Sequence, residues 1–269
     1  GHVFHSYFNK IKTGIFKSIE RAMSRKSTVI VAISDRQKVE LGEIHKIAPL
    51  DKIRVIPLGF NLQRFQENIE FKRASFRKEY NVSDDEIAIG IIGRLVPVKN
   101  HNLFFEAISI VLSKTTKKIK VFIVGDGEEC DRLKNKVKEL GLSYCDSEFL
   151  TNEKNIVFTS WIKEIDEVNA GIDIVALSSL NEGTPVSLIE AQACNNPIVS
   201  TNVGGIENIV IENETALLSD FEDVQSYAKN LLNLLEDDSK RKEMGVNGWS
   251  HVKEKFSYER LATDMCTLY

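Results

Sequence analysis

No run in this 269-residue chain approaches the roughly 18–20 consecutive apolar residues that a bilayer-spanning helix needs. Its four cysteines, Cys130, Cys145, Cys194 and Cys266, form no C-x-x-C pair. That spacing supports neither a zinc site nor a dithiol redox motif. The cysteines read as reduced structural thiols of a cytoplasmic protein. Positive charge is not in excess, since 35 Lys and Arg stand against 39 Asp and Glu, for a net charge of -4. A nucleic-acid binder usually carries a basic face, and this balance supplies none, so no nucleic-acid partner is expected. Internal repeats and low-complexity segments are also missing.

What is there is an alternation. Hydrophobic residues make up 42% of the chain, enough for a substantial core in one or two domains. Short runs rich in Val and Ile read as buried parallel strands: Val29–Ile33, Ile53–Pro57, Ile87–Ile92, Lys120–Val124, Asn155–Phe158, Ile172–Leu177 and Ile198–Ser200. Between and after them lie helical stretches at His101–Leu112, Glu128–Leu140, Ile162–Ala170, Pro185–Cys194, Val224–Leu235 and Ser239–Lys255. This βαβα order predicts an α/β fold with a doubly wound, Rossmann-like parallel sheet. A boundary is expected near Pro57–Asn68, where the chain turns polar. It divides a short piece, 1–60, from a complete α/β domain at 61–255, with the start of a further helix at 256–269. The first piece is too short for a Rossmann-type domain, so the chain is expected to begin inside an N-terminal domain.

Four motifs follow strands, where the carboxyl ends of an open α/β sheet bind ligands. After the third strand-like run comes Gly93-Arg94-Leu95-Val96-Pro97-Val98-Lys99-Asn100. Arg94 and Lys99 either reach one anionic group together, or are two solvated surface cations. Next is Val124-Gly125-Asp126-Gly127, either a tight strand-to-helix turn or a backbone that lines a ligand. No third glycine follows at the dinucleotide-binding spacing, and Glu128 stands where a pyrophosphate would dock, which argues against NAD. The third motif is Ser178-Ser179-Leu180-Asn181-Glu182-Gly183-Thr184-Pro185-Val186-Ser187-Leu188-Ile189-Glu190-Ala191. Thr184 is expected to cap the helix and Pro185 to be its first residue. The free N–H groups and positive dipole end would form a phosphate site. Glu182 and Glu190 could then face one cleft at different depths and accept hydrogen bonds from a sugar or ribose diol. Glu190 has a second reading as a solvated helix residue, although the helix around it is largely apolar. The last motif, Gly204-Gly205-Ile206-Glu207, is either an ordinary turn or a close backbone approach.

Together these motifs resemble the retaining glycosyltransferases of family four, the group 1 glycosyl transferases, whose GT-B architecture sets two Rossmann-like domains face to face. The matching residues are Gly93/Arg94/Lys99, Gly125/Gly127, Glu182/Gly183/Pro185/Glu190 and Gly204/Gly205/Glu207, with Ser34 and Pro57-Leu58-Gly59-Phe60-Asn61 also in place. Asn195 departs from the glycine usual there, but Asn tolerates the left-handed conformation of a helix C-cap. The resemblance implies that Arg94 and Lys99 hold the donor diphosphate, Glu190 the nucleotide ribose and Glu182 the donor sugar. The N–H groups of Thr184, Val186 and Ser187 would cap the phosphates, beside a lining of Gly93, Gly125, Gly127, Gly183, Pro185, Gly204 and Gly205. The donor is expected to be a UDP-sugar ahead of a GDP-sugar, and the acceptor a polysaccharide or a lipid-linked saccharide. No D-x-D motif occurs, which fits an enzyme that needs neither a metal nor another cofactor. The family's active-site histidine is expected upstream of Gly1, and neither His2 nor His5 is assigned to that role.

By this reading the chain carries the donor wall of a hexosyltransferase and little of the other wall, and is expected to be inactive by itself. Rival readings are an epimerase or glycogen-type synthase of the same fold, and a nucleotide-binding piece without activity. One further feature is a basic, aromatic N-terminal stretch. Lys10, Lys12, Lys17, Arg21, Arg25 and Lys26 stand against Glu20, interleaved with Phe4, Tyr7, Phe8 and Phe16. It could lie on the inner face of an anionic membrane, or its aromatics could belong to the core of the N-terminal domain.

Overall fold

The computed structural model describes residues 10–151 and 154–269. The chain divides into two compact units, residues 1–61 with 255–269, and residues 62–254. Among the described residues no helix is long and apolar enough to cross a membrane.

The smaller unit begins with α1 (Lys10–Lys26), followed by β1 (Ile30–Ala32), α2 (Asp35–Val39) and β2 (Ile53–Val55). The strands pair in parallel, Ile30 opposite Ile53, over a small core of Ala32, Leu41, Ile47, Ala48 and Ile53. Ser34 caps α2 by accepting from the Gln37 N–H, as a serine after a strand does. Helix α1 is held by polar contacts: Ser24 Oγ donates to the Ile47 carbonyl at 2.7 Å, and Arg21 to those of His45 and Lys46. Its apolar residues Ile15, Phe16, Ile19 and Met23 are exposed. Phe4, Tyr7 and Phe8, like His2 and His5, lie outside the described residues. The last helix, Tyr258–Leu268, belongs to this unit. Arg260 at its start donates to the carbonyls of Pro57 and Leu58 at 2.8 and 2.7 Å. Gly59 sits so close that an added Cβ would come within 2.6 Å of Leu261 Cβ.

The larger unit contains α3 (Ile69–Glu79), β3 (Glu86–Ile92), α4 (His101–Lys114), β4 (Lys118–Val124), α5 (Cys130–Glu139), β5 (Tyr144–Asp146), β6 (Ile156–Ser160), α6 (Ile165–Gly171), β7 (Ile174–Leu177), α7 (Val186–Ala193), β8 (Ile198–Thr201), β9 (Ala216–Ser219), α8 (Val224–Glu236) and all but the last two residues of α9 (Asp238–Phe256). The seven strands run in the order β5-β6-β4-β3-β7-β8-β9, all parallel. Without edge strand β5 this is the 3-2-1-4-5-6 order of a doubly wound sheet. Right-handed crossovers then place helices on both faces. Hence β3 and β4, beyond Glu86, Lys118 and Lys120 at their starts, are apolar along both faces and almost wholly buried. Phe104, Phe105 and Ile108 of α4 join Tyr227 and Leu231 of α8 in the main core. On the other face Phe76 of α3 and Tyr80 just after it meet Phe122, with ring centroids 5.1 and 5.6 Å away.

Three elements escape the hydrophobic pattern. Strands β5 and β9 are short and hold no Val or Ile. Helix α3 is dominated by charge, and its anchors are ionic: Arg73 and Arg77 reach Asp173 at 2.6 and 3.2 Å. The start of α7 also differs from expectation. Pro185 has φ -71° but an extended ψ of 99°, so it is the N-cap and Val186 is the first helical residue. Thr184 lies before the helix, and no side chain caps its end.

Candidate active site

The chain leaves β3 and turns to one side through β4, then returns across the sheet to β7. Strands β3 and β7 are therefore neighbours whose following segments diverge, with Ile91 opposite Ala176 at their carboxyl ends. This is the topological switch point, where a doubly wound sheet opens a crevice. The loop 93–100 leaves β3 and the loop 178–185 leaves β7, so both emerge there.

Short hydrogen bonds stitch these loops together. The Leu180 N–H donates to the Val98 carbonyl at 2.8 Å, and Ser178 Oγ to the Lys99 carbonyl at 2.9 Å. Lys99 Nζ lies 2.6 Å from Glu182 Oε1, and Ser179 Oγ donates to that same oxygen at 2.6 Å. Lys99 is therefore not a solvated surface cation: its side chain is 20% exposed and already paired. Arg94 is different. It is exposed, and no hydrogen bond or ion pair holds its guanidinium among the described residues. One cation of the motif is built into the wall and the other is available.

The glycines of the site act mainly on the backbone around them. A Cβ on Gly125 would fall 2.0 Å from the Gly93 carbonyl oxygen, and one on Gly127 would fall 2.3 Å from that of Leu95. The loops after β3 and β4 lie against each other along this line. The N–H groups of Gly93, Gly125 and Gly127 donate to Val124 O, Ser160 O and Asp126 Oδ1. These three glycines therefore shape the crevice without offering it a free donor. Gly204 and Gly205 do the same for the loop after β8. Gly204 has φ +61°, and a Cβ on either would come within 2.0 Å of the carbonyl of Glu182 or Gly183. The Gly205 N–H donates to Glu182 O at 2.9 Å, which pins the backbone beneath the Lys99–Glu182 pair. Gly183 stands apart from all of these. It is exposed, and an added Cβ would meet nothing within 4 Å.

From Gly183 onward the backbone is free. The N–H groups of Gly183 and Thr184 donate to no described group, and those of Val186 and Ser187 open the uncapped α7. They lie at or just before the α7 N-terminus, the positive end of its dipole. Glu190, in the second turn, is half-buried, and its carboxyl accepts no hydrogen bond from a described residue. Burial pushes its carboxyl up to about 7, against the pull of the Arg64 guanidinium and with a push from Asp166. Burial would also raise Asp166, but hydrogen bonds from Lys72 and Arg64 hold that carboxyl below the usual range. Glu190 is thus not a solvated helix residue. Glu182 and Glu190 belong to separate charge clusters, one around Lys99 and one around Arg64.

Several neighbours carry no sequence signature of their own. His101 begins α4 beside Lys99, and burial together with that ammonium pulls it down to about 4, so it is neutral at pH 7. Trp161 directly follows β6 on the same carboxyl edge of the sheet and is 62% exposed. Ser160 before it holds φ +58°, unusual for a residue with a side chain. A Trp shortly after a strand-like run is the hint of this position in the sequence; its exposure is visible only in the structure. Ser178 and Ser179 sit inside the third motif, but nothing in their type or spacing announces what their hydroxyls reach.

The family model of the glycosyl transferases group 1 matches residues 72–251. The D-inositol 3-phosphate glycosyltransferase of Corynebacterium jeikeium (strain K411) is 30% identical over 256 residues, which cover 93% of this chain and 59% of that protein. The Escherichia coli UDP-Gal:alpha-D-GlcNAc-diphosphoundecaprenol alpha-1,3-galactosyltransferase is 28% identical, with 98% of this chain and 67% of that protein covered. The chain spans a little under 60% of the length of the corynebacterial relatives it matches. Among solved structures, Anabaena Alr3699/HepE in complex with UDP aligns with a TM-score of 0.79 at 19% identity, covering 94% of this chain and 67% of that one. The C-terminal domain of LpcC, a group 1 family protein from Francisella tularensis, aligns over 74% of this chain and 99% of its own length, with a TM-score of 0.60 and 25% identity. With its doubly wound sheet, its ordered motifs and these relatives, the chain belongs to the group 1 glycosyl transferases.

Proposed function

We propose that residues 62–254 bind a nucleotide-sugar, UDP ahead of GDP, and present it for transfer of the sugar with retention to a saccharide or lipid-linked acceptor in the cytoplasm. The observation that carries this reading is the uncapped start of α7 beside Arg94 and the Lys99–Glu182 pair, at the switch point of the sheet. The Anabaena neighbours were solved with UDP and with UDP-glucose, and the E. coli relative is named for a UDP-sugar donor and a lipid-linked acceptor. In this reading Arg94 forks onto the diphosphate, and Lys99 adds a point charge from its place beside Glu182. The N–H groups of Thr184, Val186 and Ser187 receive the remaining phosphate oxygens. As the glycosidic bond breaks, negative charge grows on the diphosphate. The fixed cations and the helix end are already oriented to stabilise it, without a divalent ion. Glu190 accepts the ribose hydroxyls, Glu182 faces the sugar, and the exposed indole of Trp161 offers a stacking surface for the base.

Calorimetry with UDP, GDP and their sugar conjugates tests this. Loss of one charge-assisted contact in a partly dry cleft is worth roughly 1.5–3 kcal/mol, so Arg94→Ala is expected to weaken nucleotide binding at least about tenfold. Unchanged affinity in Arg94→Ala and Lys99→Ala alike would reject the diphosphate assignment. Nucleotide release from a panel of UDP- and GDP-sugars then reads the donor.

A second contact is proposed for α1, whose exposed Ile15, Phe16, Ile19 and Met23 share the helix with Lys17, Arg25 and Lys26. Such a helix suits an anionic membrane surface. Flotation with anionic liposomes should weaken when these cations are neutralised, and equal flotation would return the face to ordinary domain packing.

A further inference from the structure

The tandem serines that follow β7 have no part in the chemistry above, yet both are fully buried at the edge of the crevice. Ser178 does what a buried hydroxyl commonly does and donates to a backbone carbonyl, that of Lys99 at 2.9 Å. Ser179 instead donates to a charged side chain, Glu182 Oε1, at 2.6 Å. Lys99 Nζ reaches the same oxygen at 2.6 Å. Two donors on one carboxylate oxygen have a consequence for the other. A lysine on a flexible stem fixes a distance but leaves the carboxylate free to rotate. A second donor on a short side chain at a strand end fixes the plane as well. Ser179 can serve this way because its own backbone is held: Thr201 Oγ1 donates to its carbonyl at 2.7 Å. The Gly205 N–H likewise holds the Glu182 carbonyl at 2.9 Å. Oε2 of Glu182 accepts no hydrogen bond from a described residue, and is not sealed from solvent.

We propose that Ser179 is a positioning residue for the donor sugar: with Lys99 it locks Oε1 of Glu182, so that Oε2 is presented to the sugar hydroxyls, while Ser179 itself touches no ligand. The inference rests on the nucleotide-sugar reading of the site and adds how its sugar contact is oriented. It separates two parts of donor recognition. The nucleotide diphosphate is gripped by groups that do not depend on Ser179, and the sugar is gripped by one that does.

The test is calorimetry of UDP, UDP-glucose, UDP-galactose and UDP-N-acetylglucosamine on the wild-type chain, Ser179→Ala, Glu182→Gln and the double variant. Ser179→Ala is expected to weaken the tightest of the UDP-sugars by about tenfold, the effect of losing a hydrogen bond to a charged group, and UDP by less than about twofold. On the Glu182→Gln background the same substitution is expected to change neither affinity further, because the serine acts through that carboxylate. Equal losses for UDP and UDP-sugar, or a loss that persists without the carboxylate, would make Ser179 a packing residue and overturn the inference. UDP binding with an unaltered UDP-sugar contrast in Ser179→Ala overturns it too, and leaves the site reading intact. A wild-type chain that binds none of the four ligands overturns both.

Discussion

Glu182 and Glu190 lie eight positions apart in sequence, at the two ends of one loop-and-helix segment, and the fold treats them oppositely. Glu182 is clamped by two donors at 2.6 Å and its backbone is pinned from below. Glu190 is half-buried, its carboxyl has no hydrogen bond to a described residue, and burial holds that carboxyl near 7. One carboxylate is pre-oriented by protein groups; the other is desolvated and waits for a partner. Removing one member of a cluster completed inside the protein costs stability, whereas a carboxyl buried without a hydrogen bond is itself a cost. The contrast separates groups that build the wall of a site from groups that a ligand must complete. Gly205 and Gly183 show the same division in the backbone.

The largest effect should come from that glycine pair. A Cβ on Gly205 would lie 1.9 Å from the Gly183 carbonyl oxygen, a backbone atom that cannot step aside. Gly205→Ala is expected to cost about 3 kcal/mol or more, and thus to lower the unfolding temperature by roughly 6–12 °C in a unit of this size. Gly183→Ala should leave that temperature nearly unchanged and weaken nucleotide binding, because the space around it is open. Equal melts for the two variants would dissolve the distinction.

Next in size is Glu190→Gln. The native carboxyl stays protonated up to about pH 7, whereas in the unfolded chain it ionises near 4.5. Between these values the folded state binds more protons, so Glu190 makes stability fall as pH rises through that window. Its replacement by Gln should therefore stabilise the chain at pH 8, by about 1–3 kcal/mol, and flatten the fall. The same variant should bind UDP-glucose more weakly. In the wild type, UDP-glucose affinity should rise as pH passes 7, since the ionised carboxylate is the better acceptor for ribose hydroxyls. A Glu190→Gln chain that is less stable and binds unchanged would make this glutamate structural.

The smallest contrast is between the two cations. Lys99→Ala leaves a largely buried Glu182 short of its ion pair, and is expected to lower stability by about 1–3 kcal/mol. Arg94→Ala removes an exposed, unpartnered side chain and should stay within about 0.5 kcal/mol of wild type. Melts of both variants without nucleotide check this, and a larger loss for Arg94→Ala would reverse the assignment of wall and free group.

Much of this architecture could be read from residue order. The Val/Ile runs at Ile87–Ile92 and Lys120–Val124 became β3 and β4, because a strand buried on both faces has few alternatives. The four motifs each emerged at a carboxyl end of the sheet, as their place after strands implied. What stayed hidden depends on through-space pairing. Lys99 and Glu182 are 83 positions apart, and only the adjacency of β3 and β7 makes them partners. Gly125 and Gly127 were open between a tight turn and a ligand lining. Their cause is the backbone of residues 93–95, which local sequence cannot display. Helix α3 was lost for a related reason, since its anchors at Arg73 and Arg77 find Asp173 about a hundred positions later. Thr184 and Pro185 had the composition of a helix start, but an extended ψ at Pro185 moved it by one residue and left the end uncapped.

Backbone amide NMR with UDP-glucose tests the central claim directly, because free and committed donors lie side by side at this edge. The N–H groups of Gly183, Thr184, Val186 and Ser187 should shift most on titration, those of Gly93, Gly125 and Gly127 much less, and those of residues 10–61 hardly at all. Shifts centred away from the carboxyl ends of β3 and β7, or none at millimolar ligand, would contradict a nucleotide-sugar site at this switch point.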